Sequence, residues 1–463
     1  MFQNGADFKK SSFSGSTEMG FFEQISRESA QFFGRSRLFA RRFLKPHFST
    51  QGLTATLQGL AAKYGPRVAL VGREDVLTFS QWNDRVNRFA RWARAQQFEP
   101  SARIAVLMPD GPDLVCLWQG LAQRGLVSCV LSPDHMDDLP AHLRQLGAKM
   151  LIVAGDFAQR VAAMENVLGG VEVLILGDSA LGNDPAFPSL DTRIAGFSRA
   201  NIPLAEQLDL PPSAPCLILF SQIYGFVPLD RARVLDLMIG TGSAAHINRD
   251  DSVLITLPVC EPEGLALLGS ALLAGGCALV CGTTQASFWR DVARYEPSVV
   301  GGDDALWLGI WLERSSPLKS HGLRLVLAAN VASEAANRFA ERFSIPEILA
   351  FHHSAYGAVS FYNFDGRPGF IGRPFPHGKD DLARLALVKR SEPGAATSLL
   401  RVEPEEPGFL LVRLDAPEAL RLKTLVPLLR DVFERGDIWC NTGMVMSQDA
   451  SGCYALLHRP PAA

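Results

Sequence analysis

The residues best suited to chemistry are His352 and His353, adjacent in the chain, with Ser354 and Tyr356 close behind, and the carboxylates Glu261, Asp303 and Asp304. An imidazole facing a carboxylate is the usual means of moving protons near neutral pH, for acyl transfer or hydrolysis. Glu261 and the Asp303-Asp304 pair follow apolar runs that read as strands. Ligands and reacting groups gather at strand C-termini in open α/β sheets. Adjacent residues of an extended strand point to opposite faces, so at most one of the two histidines can meet a given carboxylate. No G-x-S-x-G nucleophile elbow accompanies them. The same residues also suit a collapsed pocket whose polar groups only satisfy one another.

These residues must be positioned by strands that alternate with helices. Helical spacing recurs at Val86, Phe89, Ala90 and Ala93. Buried strands are expected at Arg103–Met108, Leu126–Leu131 and Lys149–Val153, with helices at about 113–125 and 139–146. A second set begins near Ala214, with strands at Cys216–Phe220, Ser252–Pro258, Cys277–Cys281 and Leu323–Ala329 and helices at Leu229–Ile239 and Glu263–Leu273. Such alternation predicts parallel sheets covered on both faces. After Arg373 the character changes to Pro, Gly and charged clusters with short strands such as Gly408–Arg413. The expected divisions are 1–50, 51–213, 214–375 and 376–463.

With 463 residues, the chain is too long for one compact core. Its net charge of -3 gives no case for nucleic-acid binding. The eight cysteines are scattered through apolar runs without zinc spacing, which predicts buried reduced thiols, no metal site and a cytoplasmic location. No signal-peptide pattern is visible, and Gly264–Cys281 is broken by Gly275-Gly276, so it reads as a buried helix followed by a strand. The leader is polar to about Thr17. Over 18–45 it becomes amphipathic and basic, with Arg35, Arg37, Arg41, Arg42 and Lys45 among Phe and Leu residues. That pattern suits peripheral contact with an anionic membrane, or a helix packed on the protein with its arginines solvated.

Three stretches carry a resemblance: Phe288-Trp289-Arg290-Asp291-Val292-Ala293-Arg294-Tyr295, Asn363-Phe364-Asp365-Gly366-Arg367-Pro368-Gly369 with Ile371-Gly372-Arg373, and Val432–Asp437. Together they resemble the fatty acid transport protein / very-long-chain acyl-CoA synthetase family of adenylate-forming, AMP-binding enzymes, over roughly Thr54 to Arg459. The resemblance implies an α/β fold. This is the large domain of adenylate-forming enzymes, with two sandwiched α/β sheet layers and a small β-rich subdomain. It also implies an apolar acyl tunnel beside the second sheet.

The family's nucleotide stations are altered. Its Gly/Ser/Thr phosphate loop, T-S-G-T-T-G-x-P-K, falls on Phe220-Ser221-Gln222-Ile223-Tyr224-Gly225-Phe226-Val227-Pro228, which keeps Ser221 and Gly225 but loses the lysine. Its acyl-site histidine falls on Glu261, and its Thr-Glu pair for nucleotide and magnesium falls on Ala355 and Tyr356. A tyrosine cannot supply the carboxylate a hard cation needs. The ribose-binding aspartate falls on Met444, and the hinge Asp-Arg on His458-Arg459, four residues before the end. The resemblance therefore implies a degenerate phosphate loop at Ser221, Gln222, Tyr224 and Gly225, a silent ribose position at Met444, and no C-terminal lid domain. Binding of ATP and magnesium is expected to be lost, with no other cofactor. The candidate reworked pocket is Glu261, His352, His353 and Tyr356. The expected role is to bind or present an acyl ligand (acyl-CoA, acyl carrier protein or free acid), or to support a partner enzyme in acyl metabolism. An ATP-independent acyl-transferring or hydrolysing enzyme and a weakly active ligase are the alternatives.

Overall fold

A computed structural model describes residues 21–42, 45–181, 184, 186–221, 225–313, 320–330, 334–353, 359–376, 381–390, 399–416, 419 and 428–458. The chain opens with two helices, α1 (Phe21–Arg42) and α2 (Lys45–Tyr64), then β1 (Val68–Val71), β2 (Val76–Thr78) and α3 (Phe79–Ala95). A capping box starts α3: Thr78 Oγ1 accepts the Gln81 N–H at 3.2 Å, and Gln81 Oε1 accepts the Thr78 N–H at 2.9 Å. Its apolar stripe, Phe79, Trp82, Val86, Phe89 and Ala93, is buried, as the helical spacing requires.

Next come β3 (Arg103–Leu107), α4 (Pro112–Gln123), β4 (Val127–Leu131), α5 (Leu139–Leu146), β5 (Met150–Ala154), α6 (Ala158–Ala162), β6 (Glu172–Leu176) and α7 (Leu190–Ile194). A hairpin of β7 (Pro215–Ser221) and β8 (Gly225–Asp230) follows, then α8 (Arg231–Ala244), β9 (Ser252–Ile255), α9 (Pro262–Ala274) and β10 (Cys277–Leu279). The series continues with α10 (Phe288–Tyr295), β11 (Val299–Asp303), α11 (Asp304–Leu312), β12 (Leu325–Ala329), α12 (Ala335–Arg342), β13 (Glu347–His353), β14 (Val359–Asn363) and β15 (Arg373–Pro376). Six strands end it: β16 (Leu385–Arg390), β17 (Leu399–Arg401), β18 (Gly408–Arg413), β19 (Leu428–Arg430), β20 (Ile438–Gln448) and β21 (Tyr454–His458).

These strands form three sheets. The first, in order β6-β5-β3-β4-β7-β8, is parallel except for β8. The second, β15-β14-β13-β12-β11-β9-β10-β1-β2, is parallel from β13 to β1 with antiparallel strands at its two edges. The third, β17-β16-β18-β20-β19 with β21 on β20, is antiparallel. Strands such as β4, β5 and β12 are buried along their whole length, because helices cover both faces. One core joins the two large sheets through α3, α4, α8 and α9, while α10, α11 and α12 pack on the far face of the second sheet. This is the sandwiched α/β architecture expected, with the β-rich unit at the end.

Two of the expected divisions do not follow the sheets. The strand 215–221, assigned to the unit starting at 214, pairs in parallel with β4 of the first sheet. Conversely, β1 and β2 belong to the second sheet, where β1 pairs with β10. The division at 50 falls inside α2. Sheet membership is decided by distant partners, and local pattern does not carry it.

The α1 helix lies against the body. Gln31 Nε2 donates to Asp365 Oδ1 at 3.2 Å, and Arg373 Nη2 meets Glu28 Oε1 at 2.6 Å. Gly34 faces Phe364 so closely that a Cβ would fall 2.3 Å from its ring. Phe32 and Phe33 point outward at 68% and 59% exposure. Among the described residues, no helix is long and apolar enough to cross a membrane.

Candidate functional site

The C-terminal edge of the second sheet assembles the predicted histidines. Strand β13 delivers His352 and His353 there, both buried. His352 Nδ1 lies 3.2 Å from Glu263 Oε1 and makes a shorter contact with Asn330 Oδ1. The backbone N–H of His353 donates to the same Glu263 oxygen at 3.3 Å. Its ring turns the other way, placing Nδ1 2.8 Å from Ser360 Oγ and Nε2 3.1 Å from Thr241 Oγ1. Only one ring meets the carboxylate, as strand alternation requires. Tyr362 continues the chain of hydroxyls at 3.5 Å from Thr241, and burial pushes its phenol up to about 12.

The carboxylate is Glu263, not Glu261. Pro262 occupies the first turn of α9, which makes Glu261 the N-cap residue and carries Glu263 inward to 4% exposure. Glu261 is half-buried at the helix entrance. Asp303 is likewise a cap: its Oδ1 accepts the Leu306 N–H at 3.1 Å and starts α11. Asn330 escaped the sequence reading. It ends β12 in the left-handed region at φ 53°, and its N–H donates to Phe351 O at 3.0 Å. Ser354, Ala355 and Tyr356 lie outside the described residues.

Two oxygens face His352 Nδ1, so the proton belongs there. The ring's other nitrogen, Nε2, is then a bare lone pair, and it has no hydrogen-bond partner among the described residues. A carboxylate fixing one imidazole nitrogen while the other stays basic is the orienting half of a general-base arrangement. The ring stacks on Phe361 at 5.7 Å and is 1% exposed.

The first sheet presents a different edge. The segment expected as a loop leading into a helix at Leu229 is the β7–β8 hairpin, paired from Pro215↔Asp230 to Ser221↔Gly225, and α8 starts only at Arg231. Gly225 turns with φ +66°. Phe220 and Phe226 pack edge to face at 5.3 Å, with His142 at 4.7 and 5.3 Å from their rings and His135 at 4.9 Å from Phe220. Burial holds the His142 imidazole below its ordinary range. Gln222 and Tyr224 lie outside the described residues, as does the side chain of Ser221.

Asp110, after β3, ties this edge to the second sheet by accepting the Val259 N–H at 3.1 Å. Burial raises its carboxyl to about 6. Beside it, the Cys260 thiol is pushed well up by burial and then by Asp110 and Glu261. Met444 is wholly buried in β20, and its thioether is only a weak acceptor. In the preceding turn, Asp437 accepts the N–H groups of Val432, Phe433 and Glu434 at 2.7–3.0 Å. The glycine-spaced segment is a built turn between β14 and β15. The Asn363 side chain donates to Arg367 O and Phe370 O at 2.8 Å each. Gly372, at φ +100°, leaves a Cβ no room beside Tyr362 O, 2.0 Å away.

The sequence model of the AMP-binding enzyme family matches residues 57–221. Human long-chain fatty acid transport protein 6 is 27% identical over 84% of this chain and 66% of that protein. Mouse long-chain fatty acid transport protein 3 is 27% identical over 78% of this chain and 57% of its own length. Over most of its length the chain is thus similar to fatty acid transport proteins, and it spans 57–66% of those two relatives. The fold also appears in solved structures: the anthranilate CoA ligase AuaEII, in complex with anthranoyl-AMP, superposes with a TM-score of 0.70 at 16% identity. That match covers 88% of this chain and 77% of the ligase.

Proposed function

We propose that this chain binds or presents an acyl ligand, or supports a partner enzyme of acyl metabolism, without making an acyl-adenylate itself. The observation that carries this reading is the loss of the loop lysine, whose position is taken by Pro228. A phosphate-binding loop works through backbone N–H groups and hydroxyls that converge on oxygens, with a lysine to neutralise charge. Here the strands on either side of the loop pair as antiparallel sheet, and Phe220, where the family's loop opens with a threonine, packs on Phe226. Without the lysine the loop is poorly suited to a triphosphate, and the buried Met444 thioether offers a ribose only a weak acceptor. The proposed setting is cytoplasmic, with peripheral membrane contact through 18–45, where Phe32 and Phe33 are exposed.

The test combines acyl-dependent ATP–pyrophosphate exchange with thermal melting. Exchange should stay at background, and Mg-ATP should leave the Tm unmoved. A long-chain fatty acid at about one hundred times its Kd should stabilise by roughly 2.7 kcal/mol. Exchange above background would overturn the proposal.

A second reading, an acyl-transferring or hydrolysing enzyme that needs no ATP, is favoured by the oriented Glu263–His352 pair, whose Nε2 has no hydrogen-bond partner among the described residues. It requires thioester turnover without nucleotide that His352→Gln abolishes. Wild-type protein inert toward acyl-CoA would exclude it.

A further inference from the structure

Of the cavities outside the candidate site, one of 520 Å³ lies between α8 and α9, where residues 247–250 lead into β9 and Ala274 leads toward β10. It is at the N-terminal edge of the second sheet, and its walls are mainly apolar, as at Met238, Ile239 and Leu273. Another, of 240 Å³, is charged instead. It lies between β2, α3 and the segment that follows α7, and Gln81, Asp84, Arg85, Arg88 and Arg199 line it. That size is below the roughly 300–1,000 Å³ of sites for drug-sized ligands, so the occupant has few heavy atoms.

The pocket is built from two sides. Gln81, Asp84, Arg85 and Arg88 fall at i, i+3, i+4 and i+7 of α3, so one helix face carries all four. Opposite them, the segment bearing Arg199 is pinned to the same helix. Asn87 Nδ2 donates to Arg199 O at 3.1 Å, and Arg91 Nη1 donates to Ser198 O and Ala200 O at 3.2 and 2.7 Å.

The three arginines are used differently. Arg85 is claimed, with its Nη1 2.6 Å from both Asp75 Oδ2 and Asp113 Oδ1. Arg88 Nε is buried and has no hydrogen-bond partner among the described residues. A buried donor of this kind costs stability until an acceptor reaches it. Burial raises the Asp84 carboxyl above its ordinary range, and the charges of Arg199 and Arg88 oppose that rise. The pocket therefore presents two guanidinium groups and one carboxylate to the same small space.

Guanidinium forks match the oxygens of a phosphate group. A carboxylate on the same wall repels an anion unless the anion brings a donor to it. Hydrogen phosphate brings one in its own hydroxyl, whereas sulfate, of similar size and charge, has none. We propose that this pocket binds a small phosphate whose own hydroxyl donates to Asp84, while its other oxygens accept from Arg88 and Arg199. The hydroxyl belongs either to the free ion or to the carbon chain of a small ester.

The test is calorimetric titration of the full chain, near neutral pH and at fixed ionic strength, with inorganic phosphate, glycerol 3-phosphate and sulfate. Phosphate or its ester should bind at least about tenfold more tightly than sulfate, and the tighter of the two identifies the source. Arg88→Gln and Arg199→Gln should each weaken that ligand by about tenfold, the scale of one charge-assisted hydrogen bond. Asp84→Asn should bring phosphate and sulfate to within about threefold, because an amide no longer repels the ion without a donor. Sulfate bound as tightly as both phosphates, no binding of either phosphate, or arginine variants that bind like wild type would each overturn the proposal. The wild-type preference decides the matter even if a variant does not fold. None of these outcomes bears on the acyl-binding reading, which rests on other residues.

Discussion

At the C-terminal edge of the second sheet, strand ends and helix starts are closed by their own polar side chains. Glu263 holds His352 and the His353 N–H, Ser360 and Thr241 take the His353 ring, and Asp303 caps α11. At the N-terminal edge the helices part around apolar side chains, and the charges are exposed. A buried polar group without a partner costs about 1–3 kcal/mol, so an edge rich in such groups is stable only when they satisfy one another. Apolar walls carry no such demand, and space can persist between them. Among the described residues, the polar groups of the C-terminal edge are largely held by one another, whereas the space at the N-terminal edge is walled mainly by apolar side chains.

The sharpest way to break this contrast is to delete bulk at the closed end. Phe226→Ala, in the hairpin's aromatic cluster, should destabilise by about 4 kcal/mol in urea unfolding. A loss under about 1 kcal/mol would mean the cluster does not hold the hairpin. Glu263→Ala strands the His353 N–H in the interior and leaves His352 Nδ1 to Asn330 alone, for about 2 kcal/mol. A neutral outcome there would show water already reaching the network.

Asp110 adds a pH signature. Its folded carboxyl titrates near 6, against an ordinary 3.8. Because the folded value is raised, its contribution to stability is complete below pH 3.8 and lost as pH rises through 6. That loss amounts to about 2 kcal/mol between pH 4 and 7. Asp110→Asn should flatten this part of the stability profile, and an unchanged slope would remove Asp110 from the account. The smallest effect belongs to the open edge. Leu273→Ala, in the wall of an existing pocket, should cost only about 1 kcal/mol, below the usual range for a buried leucine. A loss comparable to Phe226→Ala would erase the distinction between the two edges.

Much of this was legible in the sequence. Alternating apolar runs gave the parallel strands, the break at Gly275-Gly276 separated α9 from β10, and strand alternation put the rings of His352 and His353 on opposite faces. The carboxylate partner was misread by two positions. In Glu261-Pro262-Glu263 the proline marks the helix start, and that signal would have favoured the glutamate inside the first turn. The hairpin was harder to see, because its second strand has the apolar run of a helix start and its pairing partner is already a strand. Asn330 offered no cue, since its role depends on two neighbouring strands meeting in space. The resemblance supplied the frame of turns at 363–373, where the close approach of Tyr362 O requires glycine at 372 and positive φ favours it at 366 and 369.

The attachment of α1 also sets an order of events during synthesis. Gln31 bonds to Asp365, 334 residues later in the chain. At translation rates of about 5–20 residues per second, the helix emerges roughly 20–70 seconds before its docking surface exists. During that interval its basic, phenylalanine-bearing surface is unclaimed, so chaperones or a nearby membrane meet the newborn chain there before the rest of the protein does.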